Sequence, residues 1–315
     1  MPDMLTKQYY GLGTLITLSV SMPADETDLD AGYHVIKNME DKFTVNRDVS
    51  EVMAINHAAG TNLWVSVSPD TFELISKSVK VSQLHKGFNV AIGPLVKLWH
   101  IGFKDAHKPS QTVVKKIMPL LDSTAIELDP AHQSVRLSRA GMELDLGGIA
   151  KGFIADAVRK EWIHRGVNSG IIDLGGNILL LGKGPHNGLW CVGIQNPNKT
   201  RNNILGSLTT TAKSVVTSGI YERYLTVNGK DYHHIFDDQT GYPLSNDLAS
   251  VTIVSEKSLD GDIWATLTMA AGSKKGRIWL NKVDGIEGIF VTRDGSVSCT
   301  KGLKQDFKKF HQFSN

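Results

Sequence analysis

The recurrence of apolar residues along the chain predicts its first strand and its first helix. Apolar and polar residues alternate from Leu12 to Ser21, a period of two that is typical of a β-strand. Over residues 27–43 the apolar residues instead recur at helical spacing, with Leu29 and Ile36 on one face. Thr27 or Asp28 is available as the N-cap of this helix.

Two further helices are bounded by residues that suit their ends. Ser68-Pro69 predicts a helix start, because serine suits the cap and proline suits the first helical position. This helix is expected to stop by Gly87. Another helix is expected over residues 149–165, with Gly166 as its terminator.

Strand and hairpin patterns dominate the second half of the chain. One buried strand is expected from Ile171 to Leu181, and Asn-Gly and Asp-Gly pairs predict hairpin turns at residues 227–230 and 293–296. A helix near residues 259–271 ends at Gly272. Strands in runs with a few inserted helices indicate an α+β fold rather than a doubly wound sheet.

Composition narrows the function classes. The 315 residues carry 34 basic and 32 acidic side chains, so a net charge of +2 provides no general field for nucleic acid or an anionic membrane. No apolar run reaches the length of about 18 residues that spans a bilayer. The chain has only two cysteines, which favours two lone thiols in a reduced compartment. A disulfide between them is the alternative. From Leu12 onward the N-terminal segment alternates apolar and polar residues and shows no unbroken apolar leader stretch, so we expect a cytoplasmic protein unless a leader has been removed.

The first cluster with chemical potential is Glu143-Leu-Asp-Leu-Gly-Gly-Ile-Ala-Lys-Gly152. A strand delivers Asp145, a glycine pair allows close backbone approach, and a helix begins with Lys151 in its first turn. Amides at a helix N-terminus together with a lysine suit a phosphate. A tight turn whose glycines serve only packing explains the pattern equally well.

Two more clusters combine glycine with acidic or hydroxyl residues. Ile172-Asp-Leu-Gly-Gly-Asn177 lacks the dinucleotide fingerprint, and by itself it favours a bulged or closely approached strand. Thr217-Ser-Gly-Ile-Tyr-Glu-Arg-Tyr224 precedes His233-His234 and a turn at residues 237–241. Adjacent histidines in a strand point to opposite faces, so at most one of them serves a given site.

The fourth cluster places Asp262 and Thr266 four residues apart on the predicted helix 259–271. Side chains at this spacing share a face. A carboxylate and a hydroxyl near a phosphate loop suit Mg²⁺, which needs few protein oxygens besides substrate phosphates. For an isolated pair, an acidic residue favouring the helix dipole is the simpler explanation.

Read in order, these clusters resemble the ApbE family of flavin transferases. The resemblance starts at Gly11-Leu-Gly-Thr14 and includes Phe43-Thr44 with Ser50-Glu-Val52. It continues through Gly87-Phe-Asn-Val-Ala-Ile-Gly-Pro-Leu-Val-Lys-Leu-Trp99. The D-L-G-G-I-A-K-G, T-S-G, H-x-x-D-x-x-T-G-x-P and D-x-x-x-T elements then follow. Each match is modest alone, and their shared order and spacing carry the assignment.

The resemblance implies a fold, a reaction and partners. It implies one domain over residues 1–315, with room for two closely packed subdomains, built of largely antiparallel sheets and helices around a central FAD cleft. Such enzymes use Mg²⁺ to move FMN from FAD to a threonine or serine of an acceptor protein and release AMP. The acceptor carries a D-G-x-[ST]-[AG]-[ST]-like motif, and here we expect a cytoplasmic flavin-dependent reductase.

The resemblance also assigns roles to individual residues. Asp262 and Thr266 would bind the metal through side chains and Gly148 through its carbonyl, while His234 would accept the proton of the acceptor hydroxyl. Asp262 would thereby also be catalytic. The residues implied in FAD binding are Leu12, Asn46, Gly87, Phe88, Asn89, Asp145, Lys151 and Phe236.

The sequence departs from the family pattern in the region of the flavin. Asn89 stands where an aspartate is common, Ala91 where a threonine is common, and Asn46 where some members have a tyrosine. Leu12 replaces a frequent methionine. These departures affect contacts to the flavin more than the metal chemistry.

Two other functions use the same residues. An FAD pyrophosphatase would split FAD with water through the same metal site, and a flavin carrier would bind FAD without catalysis. The joint presence of Asp262, Thr266 and His234 argues against the carrier, because binding alone needs no metal-capable pair. A nicotinamide dehydrogenase is disfavoured because no Rossmann fingerprint follows a strand.

Overall fold

A computed structural model describes residues 4–200 and 203–310 of the chain. The α-helices are α1 (Glu26–Phe43), α2 (Glu51–His57), α3 (Pro69–Ser82), α4 (Gly93–Trp99), α5 (Gln111–Ile117), α6 (Ala150–His164) and α7 (Ser258–Leu280). The strands are β1 (Met4–Gly11), β2 (Thr14–Ser21), β3 (Val65–Ser66), β4 (Ile126–Asp129), β5 (Ser134–Leu137), β6 (Ser169–Asp173), β7 (Asn177–Gly182), β8 (Trp190–Gln195), β9 (Ile204–Thr210), β10 (Ser214–Gly219), β11 (Tyr224–Val227), β12 (Lys230–His233), β13 (Phe236–Asp237), β14 (Tyr242–Pro243), β15 (Leu248–Ser255), β16 (Glu287–Thr292), β17 (Val297–Cys299) and β18 (Phe307–Lys309).

The chain divides into two compact units. The first unit contains Met1–Met39, Lys151–Gly219 and Asp247–Asn315, and the second contains Glu40–Ala150 and Ile220–Asn246. Each unit is therefore assembled from segments that are distant in sequence. The single domain expected from the sequence stays a prediction.

An eight-stranded sheet is the largest element of the first unit. Its strands follow the order β1-β2-β6-β7-β10-β15-β16-β17, and every neighbouring pair is antiparallel. All eight residues of β15 are buried, because α7 packs on one face of the sheet and a smaller sheet of β8, β9 and β18 covers the other. Trp190, Leu208 and Val254 lie in the core between the two sheets.

The second unit is built from short elements. It holds the three-stranded sheet β3-β5-β4, the hairpins β11-β12 and β13-β14, and helices α2 to α5. Trp99 is fully buried at its centre, with Tyr232 and Phe236 packed around the indole ring. The indole N–H donates to the carbonyl of Gly241 at 3.0 Å, which ties the turn at residues 237–241 to this core.

The α+β prediction is confirmed, since helices accompany sheets that are antiparallel throughout the described residues. The helices expected from Ser68-Pro69 and over residues 149–165 are present as α3 and α6, and both hairpin turns form. The cap of α1 differs from the prediction. The Asp25 carboxylate accepts from the amide and the hydroxyl of Thr27, so the residue preceding the helix caps it.

Two elements differ from the sequence prediction. The expected single strand Ile171–Leu181 is a hairpin of β6 and β7, because Gly175 and Gly176 adopt φ of 71° and 95° and reverse the chain. The helix expected to end at Gly272 continues as α7 to Leu280 after a break at that glycine. Asp247 makes this restart feasible, because its carboxylate accepts from the Ser273 amide and hydroxyl.

Two further findings bear on the sequence expectations. Cys191 and Cys299 are free thiols, so the open disulfide alternative is excluded. Among residues 4–200 and 203–310, none of the helices combines the length and apolar character needed to cross a bilayer.

Candidate active site

The N-termini of α6 and α7 meet at Gly152 in the first unit. A Cβ atom on Gly152 would lie 2.3 Å from the carbonyl oxygen of Ser258 and 2.7 Å from the Cα of Leu259. Only glycine permits this approach. The last glycine of the first sequence cluster therefore sets the distance between the two helices.

Each of the two helices supplies a carboxylate to the N-terminus of the other. Asp262 of α7 accepts from the Gly152 amide at 2.6 Å, and Asp156 of α6 accepts from the Ser258 and Leu259 amides, each at 3.0 Å. The first amides of a helix have no partner within the helix, and negative charge is favourable there. Lys257, which precedes α7, provides no side-chain cap, so Asp156 takes this role.

A buried amide holds the other oxygen of Asp262. The Asn177 side-chain N–H donates to Oδ1 of Asp262 at 3.0 Å, and the Ser258 hydroxyl donates to Oδ1 of Asn177 at 2.7 Å. Asn177 begins β7, directly after the Gly175-Gly176 turn, and the turn is closed by the Asp173 carboxylate accepting from the Gly176 amide. Asn177 of the second sequence cluster thus fixes the carboxylate of Asp262, which belongs to the fourth cluster.

Burial dominates the electrostatics of Asp262. The side chain is 7% exposed, and burial raises the pKa of its carboxyl, with the charge of Asp156 adding to the effect. Lys151 and the donors on Gly152 and Asn177 oppose this pKa increase by stabilising the ionised form. Burial likewise raises the pKa of Asp156.

The oxygen atoms at Asp262 are compatible with the magnesium ion expected from the sequence. The described ranges contain no group of three or more histidine, cysteine, aspartate or glutamate residues able to hold a metal. The two hydrogen bonds to Asp262 use two of the roughly four lone-pair sites of a carboxylate. Thr266 follows one helical turn later and is half-buried. A single carboxylate with a neighbouring hydroxyl is the sparse oxygen set that Mg²⁺ accepts alongside substrate phosphates.

Leu12 occupies a strained turn of the first unit. Leu12 and Gly13 have φ of 54° and 68° and join β1 to β2 as a two-residue hairpin. Positive φ is uncommon for a bulky residue, and here the tight hairpin turn requires it at both positions. The side chain of Thr14, which follows the turn, packs against Gly175, where a Cβ would lie 2.3 Å from its hydroxyl oxygen.

Asp145 lies in the second unit, two residues before the glycine pair of the first cluster. Its carboxylate accepts from the Gly147 amide at 2.7 Å, while Gly147 and Gly148 are exposed. Burial raises the pKa of Asp145, the Gly147 bond and the charge of Arg223 lower it, and the charge of Glu143 raises it further. The glycine pair is thus an exposed backbone segment held by one carboxylate.

The two adjacent histidines of the second unit have different surroundings. His233 is buried, with Nε2 at 2.9 Å from the Leu244 carbonyl and Nδ1 accepting from the Ile235 amide. His234 is half-buried, and its Nδ1 lies 3.2 Å from the Arg223 carbonyl. A carbonyl can only accept, so Nδ1 of His234 carries a proton, and in the neutral imidazole Nε2 is then the atom with the lone pair. The contacts of His233 are those of a structural residue, and the neutral tautomer of His234 is compatible with the base role expected from the sequence.

The remaining residues implied in FAD binding all lie in the second unit. Phe88 and Phe236 are buried, so only their backbone is suited to contact a ligand. Asn46 is exposed in the loop after α1. Asn89 lines a pocket of about 320 Å³ and donates to the Leu121 carbonyl at 2.7 Å and to the Asp238 carboxylate at 3.1 Å. Gly87, the last of the set, has a φ of 96°.

The structure brings part of the predicted site together within each unit. In the first unit, Lys151 and Asp262 are electrostatic neighbours, and in the second, Asp145 interacts with Arg223, whose carbonyl holds His234. Sequence reasoning missed three polar residues around Asp262, namely Asn177, Ser258 and Asp156. Asn177 stood in a cluster already noted, but its partners are 81 and 85 residues away in the chain.

Comparisons with known proteins agree with this architecture. The sequence model of the ApbE family matches residues 12–290. An FAD:protein FMN transferase of Klebsiella pneumoniae is 44% identical over 274 residues, which cover 87% of this chain and 84% of the relative. One from Treponema pallidum is 34% identical over 310 residues, covering 93% and 85%. The crystal structure of the ApbE protein from Thermotoga maritima superposes with a TM-score of 0.89 at 26% identity, covering 98% of this chain and all of that one. The chain therefore belongs to the ApbE family.

Proposed function

We propose that this ApbE-family transferase moves FMN from FAD to a serine or threonine hydroxyl of an acceptor protein, with release of AMP and dependence on Mg²⁺. The observation that carries the proposal is the buried Asp262 carboxylate, fixed by the Gly152 amide beside Lys151. A carboxylate, a lysine and a helix N-terminus in one place suit a pyrophosphate with its cation. The activity of the two curated relatives supports the same reaction.

In this proposal the side chains of Asp262 and Thr266 and the carbonyl of Gly148 would hold the metal. When bound, Mg²⁺ supplies charge neutralisation on the pyrophosphate and polarises its phosphorus. Asp262 keeps its orientation through the Gly152 and Asn177 donors, and Lys151 adds positive charge at the same helix start. Phosphoryl transfer needs mainly positioning and charge stabilisation, which these groups provide.

The proposed FAD contacts follow the family resemblance. Backbone contacts are suited to Phe88 and Phe236, whose side chains are buried, and side-chain contacts to Asp145 and Lys151. The proposed FAD-binding residues are Leu12, Asn46, Gly87, Phe88, Asn89, Asp145, Lys151 and Phe236.

In the transfer step, the acceptor hydroxyl oxygen forms a bond to the flavin-side phosphorus of FAD. The bridging P–O bond breaks, and AMP leaves with its electron pair. The hydroxyl proton passes to Nε2 of His234, the ring atom that carries the lone pair when Nδ1 donates to the Arg223 carbonyl. The product is an FMN phosphoester on the acceptor, so atoms and charge balance.

The direct test incubates the protein with FAD, Mg²⁺ and a domain bearing the D-G-x-[ST]-[AG]-[ST] motif. A fluorescent acceptor band in a denaturing gel, abolished by chelation of the metal, is the expected result. Free FMN and AMP without that band would establish a pyrophosphatase instead. Intact FAD after long incubation would establish a carrier and refute the proposal.

Thr266 provides a near-isosteric test of the metal role. Thr266→Val keeps the side-chain shape and removes the hydroxyl, so we expect a higher Mg²⁺ concentration for half-maximal activity. Thr266→Ser returns the hydroxyl and should restore the wild-type value. Equal Mg²⁺ dependence in all three proteins would exclude Thr266 as a ligand.

We further propose that the acceptor is a cytoplasmic flavin-dependent reductase that contains the acceptor motif. Purification of flavinylated proteins from the native cell, followed by fractionation, identifies the acceptor and its compartment. A flavinylated protein found only outside the cytoplasm would refute the compartment, and an acceptor that is not a flavin-dependent reductase would refute its class.

A further inference from the structure

The carboxylate of Asp262 is oriented by two donors of different kinds. The Gly152 amide belongs to a helix backbone and cannot rotate, whereas the Asn177 amide is a side chain that can present either its oxygen or its nitrogen. An ionised carboxylate only accepts, so Asn177 must direct its nitrogen at Asp262. The orientation of one buried amide thus decides whether Asp262 is held or repelled.

Ser258 supports the orientation of Asn177 that Asp262 requires. Its hydroxyl donates to Oδ1 of Asn177 at 2.7 Å, which leaves the nitrogen directed at Asp262. Ser258 is fully buried and Asn177 is 1% exposed, so bulk water offers no substitute donor. Buried polar groups of this kind are costly to leave unpaired, which makes the chain Ser258–Asn177–Asp262 directional.

We propose that Asn177 is a positioning residue for Asp262, and that Ser258 acts through Asn177 by fixing its amide. The inference rests on the proposed function, because it assigns Asp262 to the metal. Neither residue touches the reacting atoms. Together they fix the orientation of the Asp262 carboxylate, so that its lone pairs not used by Gly152 and Asn177 would stay available to the cation. Partners of metal ligands commonly affect metal affinity in this way.

A purely structural role for this chain of hydrogen bonds makes a different prediction. Asn177 belongs to the β6-β7 hairpin and Ser258 to the start of α7, so their bond also joins a sheet to a helix. If packing were its whole purpose, substitutions would lower the free energy of unfolding and leave the metal affinity of the folded protein unchanged. Affinity and stability must therefore be measured separately.

The experiment measures Mn²⁺ binding by loss of the free-ion EPR signal, with saturating FAD and no acceptor protein. Asn177→Ala should weaken Mn²⁺ binding about 10- to 100-fold. Ser258→Ala keeps the amide but leaves its buried Oδ1 without the hydroxyl donor, and we expect a weakening of roughly 3- to 10-fold. The double variant should match Asn177→Ala alone, because Ser258 acts only through Asn177.

A matched control is available in the second unit. Ser78 is also fully buried and donates its hydroxyl to a backbone carbonyl, that of Leu74, at 2.8 Å. Ser78→Ala removes an equivalent hydrogen bond and should leave Mn²⁺ affinity at the wild-type value. Thermal unfolding of every variant identifies any that are not folded at the assay temperature.

Asp262→Ala separates failure of this inference from failure of the proposed function. Equal Mn²⁺ binding by wild type and Asp262→Ala would refute the metal site itself. Loss of binding in Asp262→Ala, with wild-type affinity in folded Ser258→Ala and Asn177→Ala, would refute only the positioning role. If Asn177→Ala does not fold, wild-type affinity in Ser258→Ala alone overturns the inference.

Discussion

Replacing Gly152 by alanine tests whether the contact between the N-termini of α6 and α7 builds the candidate site. The added Cβ would lie 2.3 Å from the Ser258 carbonyl oxygen, against 3.4 Å for an ordinary contact. The two backbones must therefore separate by about 1.1 Å at this point. Neither side can yield through a side-chain rotation, because the contacted atoms of Ser258 and Leu259 belong to the backbone.

The expected cost has two parts. Overpacking of a closed contact costs about 1–3 kcal/mol. Separation also lengthens the bond from the Gly152 amide to the Asp262 carboxylate, now 2.6 Å, and a hydrogen bond to a charged group is worth about 1.5–3 kcal/mol. We therefore expect Gly152→Ala to lower the free energy of unfolding by about 3–5 kcal/mol and to abolish FMN transfer.

Urea denaturation measures the first effect, and acceptor fluorescence in a denaturing gel measures the second. Gly166→Ala is the matched control at the other end of α6, where the added Cβ meets no atom within 4 Å. Because residue 166 has a φ of 84°, alanine there should lower the free energy of unfolding by about 1–2 kcal/mol. FMN transfer should be retained. Wild-type stability and transfer in Gly152→Ala would refute the reasoning.

Three other substitutions test separate features. His234→Ala should slow transfer about 10²- to 10⁴-fold at saturating FAD, because it removes the base, and an unchanged single-turnover rate would exclude that role. Asn89→Asp would replace a donor to Asp238 with a second carboxylate and destabilise the protein by about 1–3 kcal/mol. Since one carboxyl of such a pair has a raised pKa, the loss should be larger at pH 7 than at pH 4, and a pH-independent loss in urea denaturation would contradict this. Asp247→Ala uncaps Ser273 and should cost about 1 kcal/mol without affecting transfer; loss of transfer at unchanged stability would count against a capping role.

Local patterns predicted the elements that are defined by neighbouring residues. The start of α3 at Ser68-Pro69 and the Asn228-Gly229 turn depend on residues adjacent in sequence, and both form as expected. The β6-β7 hairpin was missed because its Gly175-Gly176 turn interrupts an apolar run that continues on both sides. The positive φ values of the two glycines reverse the chain, and the hydropathy pattern does not reveal them.

The candidate site was predictable only in part, for a related reason. Asp262 and Thr266 share a helix face by spacing, so they could be paired from the sequence. Asn177 has its partners 81 and 85 residues later, and no local period connects them. Likewise, α7 continues past Gly272 because the carboxylate of Asp247, 26 residues before Ser273, accepts the hydrogen bond of the Ser273 amide at the break.

Because α6 and α7 each provide a carboxylate to the N-terminus of the other, their opening motions are coupled. Breaking the Asp262–Gly152 contact exposes an amide of α6, and breaking the Asp156 contacts exposes two amides of α7, so neither helix start can fray without cost to the other. Opening is then a joint event, in which the amide hydrogens of Gly152, Ser258 and Leu259 exchange with solvent at a common rate. Lys151 and Asp262, proposed to act on the same pyrophosphate, would then lose their shared position in a single opening event.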